Sequence, residues 1–441
     1  VPHIRNIAPP PIAYLLLVVP ECLMMRLSSS VNKAAIRSAG LQFRSMSGYN
    51  DCIDPTKLEI RKSQNLKAKT PLQELQFGHT FSDHMLEVDW HRDSGWKNPV
   101  ISEYKNFSLS PAISALHYGI QCFEGMKAYK DSQNRLRLFR PDMNMERMNN
   151  SMTRLAMPSL DKDGFLKCLE ELVRIDGSWV PKEDGYSLYI RPTAIGTSPF
   201  LGVHASEEVK VYAILSPVGP YYKTGSTVPV KLLADPTNVR AWPGGVGSVK
   251  VGGNYAPSID ISAKAAAEGY QQILWLFGDN HEITEVGAMN IFFLFRKENH
   301  PDSQLELVTA PLTRGDVLPG VTRNSILNLC REDWGQSNLS TKGGRLEVNE
   351  KWITMKDVLK ASEEGRLVEA FGAGTAAIVS PVNQIKYLGH EINIPCGSDS
   401  GKLMGRSDSL SLAEKIREML LDIQYGRHEH PWSKIISDPT E

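Results

Sequence analysis

Two periodicities divide this chain. Runs of apolar, β-branched and aromatic residues at 210–218 (KVYAILSPV), 229–235 (PVKLLAD), 271–277 (QQILWLF), 290–296 (NIFFLFR) and 366–372 (RLVEAFG) predict strands. Gly278-Asp279-Asn280, between the third and fourth runs, is a turn signal and predicts a hairpin there. Apolar spacing of i, i+3, i+4 predicts helices over 257–269, 322–333, 354–365 and 411–426, the first with Pro257 in its opening turn and Gly269 as its stop. Strands and helices mix without strict βαβ alternation. The expected class is therefore mixed α/β (α+β) rather than a doubly wound sheet. "GPYYKTGSTVP" (219–229) breaks both patterns with Gly, Pro, Ser and Thr. It predicts a linker at 221–228 between a smaller N-terminal α/β domain (56–220) and a larger C-terminal domain (229–441).

The first residues follow neither pattern. "IAYLLLVV" (12–19) is too short to span a bilayer, and although Arg5 precedes it as in a secretory signal, no small-residue cleavage site follows. The stretch 24–50 carries Arg26, Lys33, Arg37 and Arg44, is rich in serine, and has no acid between Glu21 and Asp51. That composition reads as a mitochondrial transit segment, with Met24 or Met25 as an internal start. Residues 1–55 are set aside as a leader, and the mitochondrial matrix is the expected address, with the cytoplasm as alternative.

Composition narrows the partners. Forty-nine basic residues against 50 acidic ones leave a net charge of −1, so no global field draws nucleic acid or an anionic membrane. The six cysteines are scattered, with no CxxC and no metal-type spacing. Free thiols in a reducing compartment and no metal site are expected.

Chemistry concentrates around Lys250 in "GSVKVGGNYAPSI", among Gly244, Gly245, Gly247, Gly252 and Gly253. A lysine there is either a solvated loop cation or an amine nucleophile whose small neighbours let a flat heterocycle lie against the backbone. A pyridoxal phosphate site would need an acid for the ring nitrogen, a hydroxyl for the ring oxygen and an anion site. Glu285 in "ITEVGAMNIF" is either a turn carboxylate facing water or a buried acid with a cationic partner. Gly320-Val321-Thr322 and Gly374-Thr375-Ala376 resemble backbone-amide turns that hold anions. "FGAGTAA" also matches a dinucleotide fingerprint in form (Gly372, Gly374, Ala377, then Glu391), the basis of a competing reading as a dinucleotide- or metabolite-binding module. Pro381 argues against it by stopping any helix.

Six blocks bear on the choice: "HYGIQCFEGMKAY", "NMERM", "GGVGSVKVGGNYAPS", "ITEVGAMNIF", "LPGVTRNSI" and "FGAGTAA". Together they resemble the branched-chain aminotransferases, fold-type IV pyridoxal-phosphate enzymes, over roughly residues 70–435 and most closely the animal forms. The resemblance implies two domains with the active site between them. It also implies ping-pong transfer of the amino group of leucine, isoleucine or valine to 2-oxoglutarate, giving branched-chain 2-oxo acids and L-glutamate. A homodimer is expected, because family members complete their pockets across a subunit interface. By the same resemblance Lys250 bonds pyridoxal 5'-phosphate and moves the substrate α-proton, Tyr255 meets the ring oxygen and Glu285 the ring nitrogen. Arg147 clamps the phosphate with Val321, Thr322 and Thr375, and Arg240 lies near the cofactor. Phe77, Tyr118, Phe123 and Tyr221 make an apolar substrate wall, with Tyr189 and Arg191 at its rim and Thr375 and Ala376 also against substrate. Two positions depart from the pattern. Ala377 and Ser380 stand where vertebrate members carry a CxxC redox switch, and Ala288 stands where some members carry threonine. No such switch is expected here. D-amino-acid aminotransferase and aminodeoxychorismate lyase are the nearest alternative activities of this fold type.

Overall fold

The computed structural model describes residues 50–221, 228–298, 304–339, 345–405 and 409–437; all but the end of the expected leader, and 222–227 of the expected linker, lie outside the described residues. The apolar runs form two large sheets. The first takes β1 (Glu59–Ile60), β2 (His84–His91), β3 (Gly95–Trp96), β4 (Val100–Glu103), β5 (Gln121–Phe123), β6 (Met126–Lys130), β7 (Leu136–Phe139), β8 (Ser187–Gly196) and β9 (Glu208–Val218). The second takes β10 (Val230–Asp235), β11 (Gln272–Phe277), β12 (Glu282–Val286), β13 (Met289–Arg296), β14 (Leu305–Thr309), β15 (Glu347–Glu350), β16 (Leu367–Gly374), β17 (Ile378–Tyr387) and β18 (His390–Asn393). A final strand, β19 (Ser433–Ser437), returns to pair with β7 of the first sheet. The helices are α1 (Ser114–Tyr118), α2 (Pro141–Arg154), α3 (Lys162–Ile175), α4 (Ser258–Ala267), α5 (Val321–Arg331), α6 (Asp333–Leu339), α7 (Met355–Glu363), α8 (Gly397–Leu403) and α9 (Leu412–Gln424).

The first sheet runs β1-β4-β2-β9-β8-β6-β7-β19 and the second β12-β11-β10-β17-β16-β13-β14-β15. Because β12 also pairs with β13, the path β12-β11-β10-β17-β16-β13 closes on itself. Only at β10, with β11 and β17, and at β14–β15 are the second sheet's pairs parallel. This is the mixed class expected from the pattern. Burial follows from sequence. Along β9 the first residues alternate between half-buried and buried, as in a strand with one covered face. All but the last residue of β13 are buried, as in a strand covered on both faces. In α2 the buried Met145, Met148 and Met152 repeat at helical spacing and pack with Phe165 and Leu169 of α3 in the first sheet's core. Ile53, within the residues set aside as leader, is also buried in that core.

Two readings of the pattern are corrected. The turn at Gly278-Asp279-Asn280 joins β11 not to the 290–296 run but to β12. Glu285 therefore lies inside a strand, opposite Asn290 of β13, rather than in a turn. "FGAGTAA" is the arm and turn of the antiparallel β16–β17 hairpin, with Gly374 opposite Ile378. A dinucleotide fingerprint needs a helix after its strand, and none follows here.

Candidate active site

A cavity of about 210 Å³ takes its walls from both sheets. Of the residues singled out in the sequence, Phe77, Phe123, Arg147, Tyr189, Arg191, Tyr221, Lys250, Tyr255, Glu285, Val321, Thr322, Thr375 and Ala376 all line it. Tyr118 and Arg240 do not.

Lys250 follows a tight turn and precedes a short 3-10 helix (Gly252–Asn254). Its backbone is fixed on both sides: its N–H donates to Ser151 Oγ (2.9 Å) and its carbonyl accepts from Phe123 N–H (3.0 Å). The ammonium donates to Tyr255 Oη at 3.1 Å and lies 4.8 Å from the centre of the Phe123 ring. The reading of the glycines is corrected. None of Gly244, Gly245, Gly247, Gly252 or Gly253 lines the cavity. Gly247 is small because a Cβ there would fall 2.7 Å from Asp316 backbone, and Gly252 because one would meet Gln121 at the same distance. They let chain pack on chain behind the lysine. Glycines do line the cavity elsewhere, among them Gly125, where a Cβ would overlap the Tyr189 hydroxyl, and Gly320, where one would overlap Asn290 Oδ1.

Glu285 is 1% exposed. Its Oε1 accepts from Asn290 Nδ2 (3.1 Å) and Leu318 N–H (3.3 Å), and its Oε2 pairs with the Arg240 guanidinium. Burial pushes its carboxyl above the usual range, opposed by Arg240, the Leu318 amide and Lys250. Of the two readings of this acid, the buried one with a cationic partner holds. Arg240 reaches the cavity only through Glu285 and through Tyr255, whose ring centre lies 5.8 Å away.

A second buried pair went unassigned in the sequence. Glu124, fully buried, accepts from Arg147 Nε (2.7 Å) and Nη2 (2.9 Å), and Asn144, one turn earlier on α2, adds 2.8 Å. Burial works against its charge, but the Arg147 guanidinium holds the carboxyl below the usual range. Arg147 also donates Nη1 to Pro319 O (3.1 Å), which engages three of its five N–H groups and leaves two for a ligand. The signal for Glu124 was present: an acid between Phe123 and Gly125 in an apolar run needs a partner.

Beside Arg147 the first turn of α5 opens into the cavity. Gly320 precedes it without a side-chain cap, and the first intrahelical bond is Asn324 N–H to Gly320 O. The amides of Val321, Thr322 and Arg323 are thus the helix's unpaired donors, a ready anion site. The β16–β17 turn adds to it: among the described residues the Thr375, Ala376 and Ala377 amides have no acceptor. The charge balance agrees, since Glu124 and Glu285 are each matched by an arginine. Among the described residues neither Lys250 nor Arg191 has a carboxylate within ion-pair distance.

The apolar wall is aromatic. Phe77 meets Tyr189 edge-on at 4.9 Å and Tyr221 at 5.5 Å, and Arg191 lies 4.7 Å over the Phe123 ring while donating to Tyr189 Oη (3.3 Å). Tyr118 stays away from this wall. α1 ends at Gly119 in the left-handed conformation, and Tyr118, 41% exposed, donates its hydroxyl to Leu201 O instead.

Comparison with known proteins gives the family. Residues 121–385 match the family described as Amino-transferase class IV. The chain is 48% identical over 385 residues to a branched-chain-amino-acid aminotransferase of Monosiga brevicollis, covering 87% of this chain and 93% of that one. It is 46% identical to a mitochondrial branched-chain-amino-acid aminotransferase of Mus musculus (85% and 90% covered) and 44% to a cytosolic one of Saccharomyces cerevisiae (88% and 98%). Among solved structures its fold is similar to a branched-chain aminotransferase from Thermoproteus uzoniensis with norvaline (TM-score 0.59, 24% identity, 79% of this chain and 99% of that one). It is also similar to the T.th. branched-chain amino acid aminotransferase with pyridoxamine 5'-phosphate (TM-score 0.58, 23% identity, 79% and 98%).

Proposed function

This chain belongs to the amino-transferase class IV family, and we propose that it exchanges amino groups between branched-chain L-amino acids and 2-oxoglutarate at the cavity built around Lys250. It is a branched-chain-amino-acid aminotransferase, and its cofactor is pyridoxal 5'-phosphate. The observation that carries the site assignment is the convergence in one cavity of three elements. They are, among the described residues, a lysine amine bonded only to a tyrosine hydroxyl, a buried acid paired with arginine, and a helix N-terminus with unpaired amides.

These residues fit the cofactor's three chemical ends. The α5 amides, Thr322 and the two free N–H groups of Arg147 suit a phosphate; Tyr255 suits a phenolic oxygen; Glu285 suits a protonated ring nitrogen. When bound, the cofactor supplies an aldehyde that bonds amines reversibly and a ring that withdraws electrons from the substrate α-carbon. Lys250 would then be the amine that bonds it and the base that moves the α-proton. Glu285, held by Arg240, Asn290 and Leu318, would keep a proton on the ring nitrogen. Phe77, Phe123, Tyr189 and Tyr221 exclude water and cover the branched side chain, worth ~0.8 kcal/mol per buried CH₂. Arg191 faces the distal carboxylate of 2-oxoglutarate or L-glutamate, and the Thr375 and Ala376 amides face the α-carboxylate that all these substrates share.

The test is a visible spectrum of the purified protein. L-Leucine is expected to bleach the band of the bound aldehyde cofactor, and 2-oxoglutarate to restore it. A band unmoved by L-leucine but bleached by D-alanine would reverse the choice of substrate.

A homodimer is part of the same reading. Leu116 (69% exposed), Leu201 (65%) and Val203 (80%) surround the Tyr118–Leu201 bond, an apolar patch of the kind that subunits cover. Relatives occur in both mitochondria and cytosol, and the arginine- and serine-rich stretch at 24–50 favours the mitochondrial matrix. Light scattering tests the first point and import of a fusion carrying residues 1–55 the second; a fully active monomer or a cytosolic fusion would overturn each.

A further inference from the structure

Lys127 is 5% exposed and is the second residue of β6, yet it is not among the residues lining the cavity. A buried ammonium normally meets a carboxylate, because an unpaired buried charge is costly. This one instead donates from Nζ to Ala376 O at 2.9 Å, reaching across from the first sheet to the β16–β17 turn of the second. The charged group that acts on it most is another cation, Arg417 of α9.

The bond has a directional consequence. In a trans peptide the carbonyl and the next N–H point opposite ways. With Ala376 O drawn back to Lys127, the Ala377 N–H is turned forward, to the side on which Thr375, Ala376 and Ala377 line the cavity. The turn also needs holding. Ile378, which closes it, has φ +65°, a left-handed conformation that a β-branched residue adopts only under constraint.

We propose that Lys127 is a positioning residue of the transamination site: from behind the β16–β17 turn it fixes the Ala376–Ala377 peptide, so that the Ala377 amide joins those of Thr375 and Ala376 at the substrate α-carboxylate, and it adds positive charge to that anion site. This deepens the proposed function and rests on it. The other groups around Lys127 supply no competing charge. Tyr189 is its register partner on β8; Tyr129, two residues along β6, packs 5.1 Å from Tyr425 at the end of α9. Burial pushes the Tyr129 and Tyr425 hydroxyls up, Tyr425 to about 12, so both stay neutral in the working range. Asp184 and Glu418 act on Arg417 rather than on Lys127. Burial first, then Arg417, pushes the Lys127 ammonium down to about 7. Its charge is therefore present below that pH and lost above it.

The experiment compares wild type, Lys127→Met and Lys127→Arg as holoenzymes. The ligands are L-leucine, 4-methylpentanoate as a competitive carboxylate without an amine, and 3-methylbutylamine as an amine without a carboxylate. Lys127→Met is expected to raise the KM for L-leucine and the Ki for 4-methylpentanoate about tenfold, with kcat within about twofold. Slow single-turnover reaction with 3-methylbutylamine stays at the wild-type rate. In wild type the Ki rises between about pH 6 and about pH 8.5 with a midpoint near about 7; in Lys127→Met it is flat, and in Lys127→Arg it stays low throughout. A wild-type Ki and pH profile in Lys127→Met overturns the inference. So does an equal loss with the amine and with L-leucine, which marks a merely structural lysine. Failure of wild type itself to react with L-leucine would instead sink the proposed function, so the two failures are distinguishable.

Discussion

Replacing Lys250 by alanine is expected to abolish the visible band of bound pyridoxal phosphate and to cut L-leucine turnover by about four orders of magnitude or more, as loss of both a nucleophile and a general base implies. The fold should survive, because the lysine is anchored by its main chain: the bonds to Ser151 Oγ and from Phe123 N–H do not involve the side chain. No neighbour can stand in. Arg147 and Arg191 carry guanidinium groups, and Tyr255 and Thr322 offer hydroxyls rather than an amine. Lys250→Arg separates chemistry from charge. If the ammonium acted only as a cation beside Glu124 and Glu285, arginine would restore most of the rate; if it bonds the cofactor and carries the proton, arginine is as inactive as alanine. Recovery in Lys250→Arg, or turnover near wild type in Lys250→Ala, would falsify the assignment.

What could be read in the chain before its fold was known depended on how far apart the determining contacts lie. The runs at 210–218, 271–277 and 290–296 became β9, β11 and β13 because each carries its own burial pattern. β12 was harder to see, since Glu282 and Glu285 interrupt its apolar residues and only pairing with β11 and β13 makes it a strand. Lys250, Tyr255 and Glu285 were picked out by the residues and their resemblance, but the physical reason offered for the glycines was misplaced. For Gly247 and Gly252 it is packing against Asp316 and Gln121, remote in sequence, that leaves no room for a side chain. The partner of Arg147 is Glu124, 23 residues before it, and that of Lys127 is a carbonyl 249 residues away. Neither pairing leaves a local periodic trace. Tyr118 shows the converse limit: its motif placed it at a substrate pocket, while in the fold it ends a short helix and is exposed.

The Glu285–Arg240 pair yields the second large effect. In Glu285→Gln the amide keeps an acceptor for the Leu318 N–H but cannot hold a proton on a ring nitrogen by charge. The anion site is untouched, so cofactor should remain bound through the α5 amides and Arg147. The single-turnover half-reaction with L-leucine is expected to slow about 10²–10³-fold, the magnitude typical of removing one preorganised electrostatic partner. Stability must fall as well, since the change strands Arg240, 9% exposed, without its carboxylate; losing one member of a buried pair costs about 3–5 kcal/mol. The two losses are separable. Adding Arg240→Met to Glu285→Gln removes the stranded charge, so the melting temperature should recover while the half-reaction stays slow. A rate that recovers with stability would mean that Glu285 only supports the fold. A rate that stays low in a restored protein, with cofactor bound, assigns the acid to the ring nitrogen. It also gives the guanidinium a specific role. Burial pushes the carboxyl upward, and the Arg240 guanidinium opposes that shift.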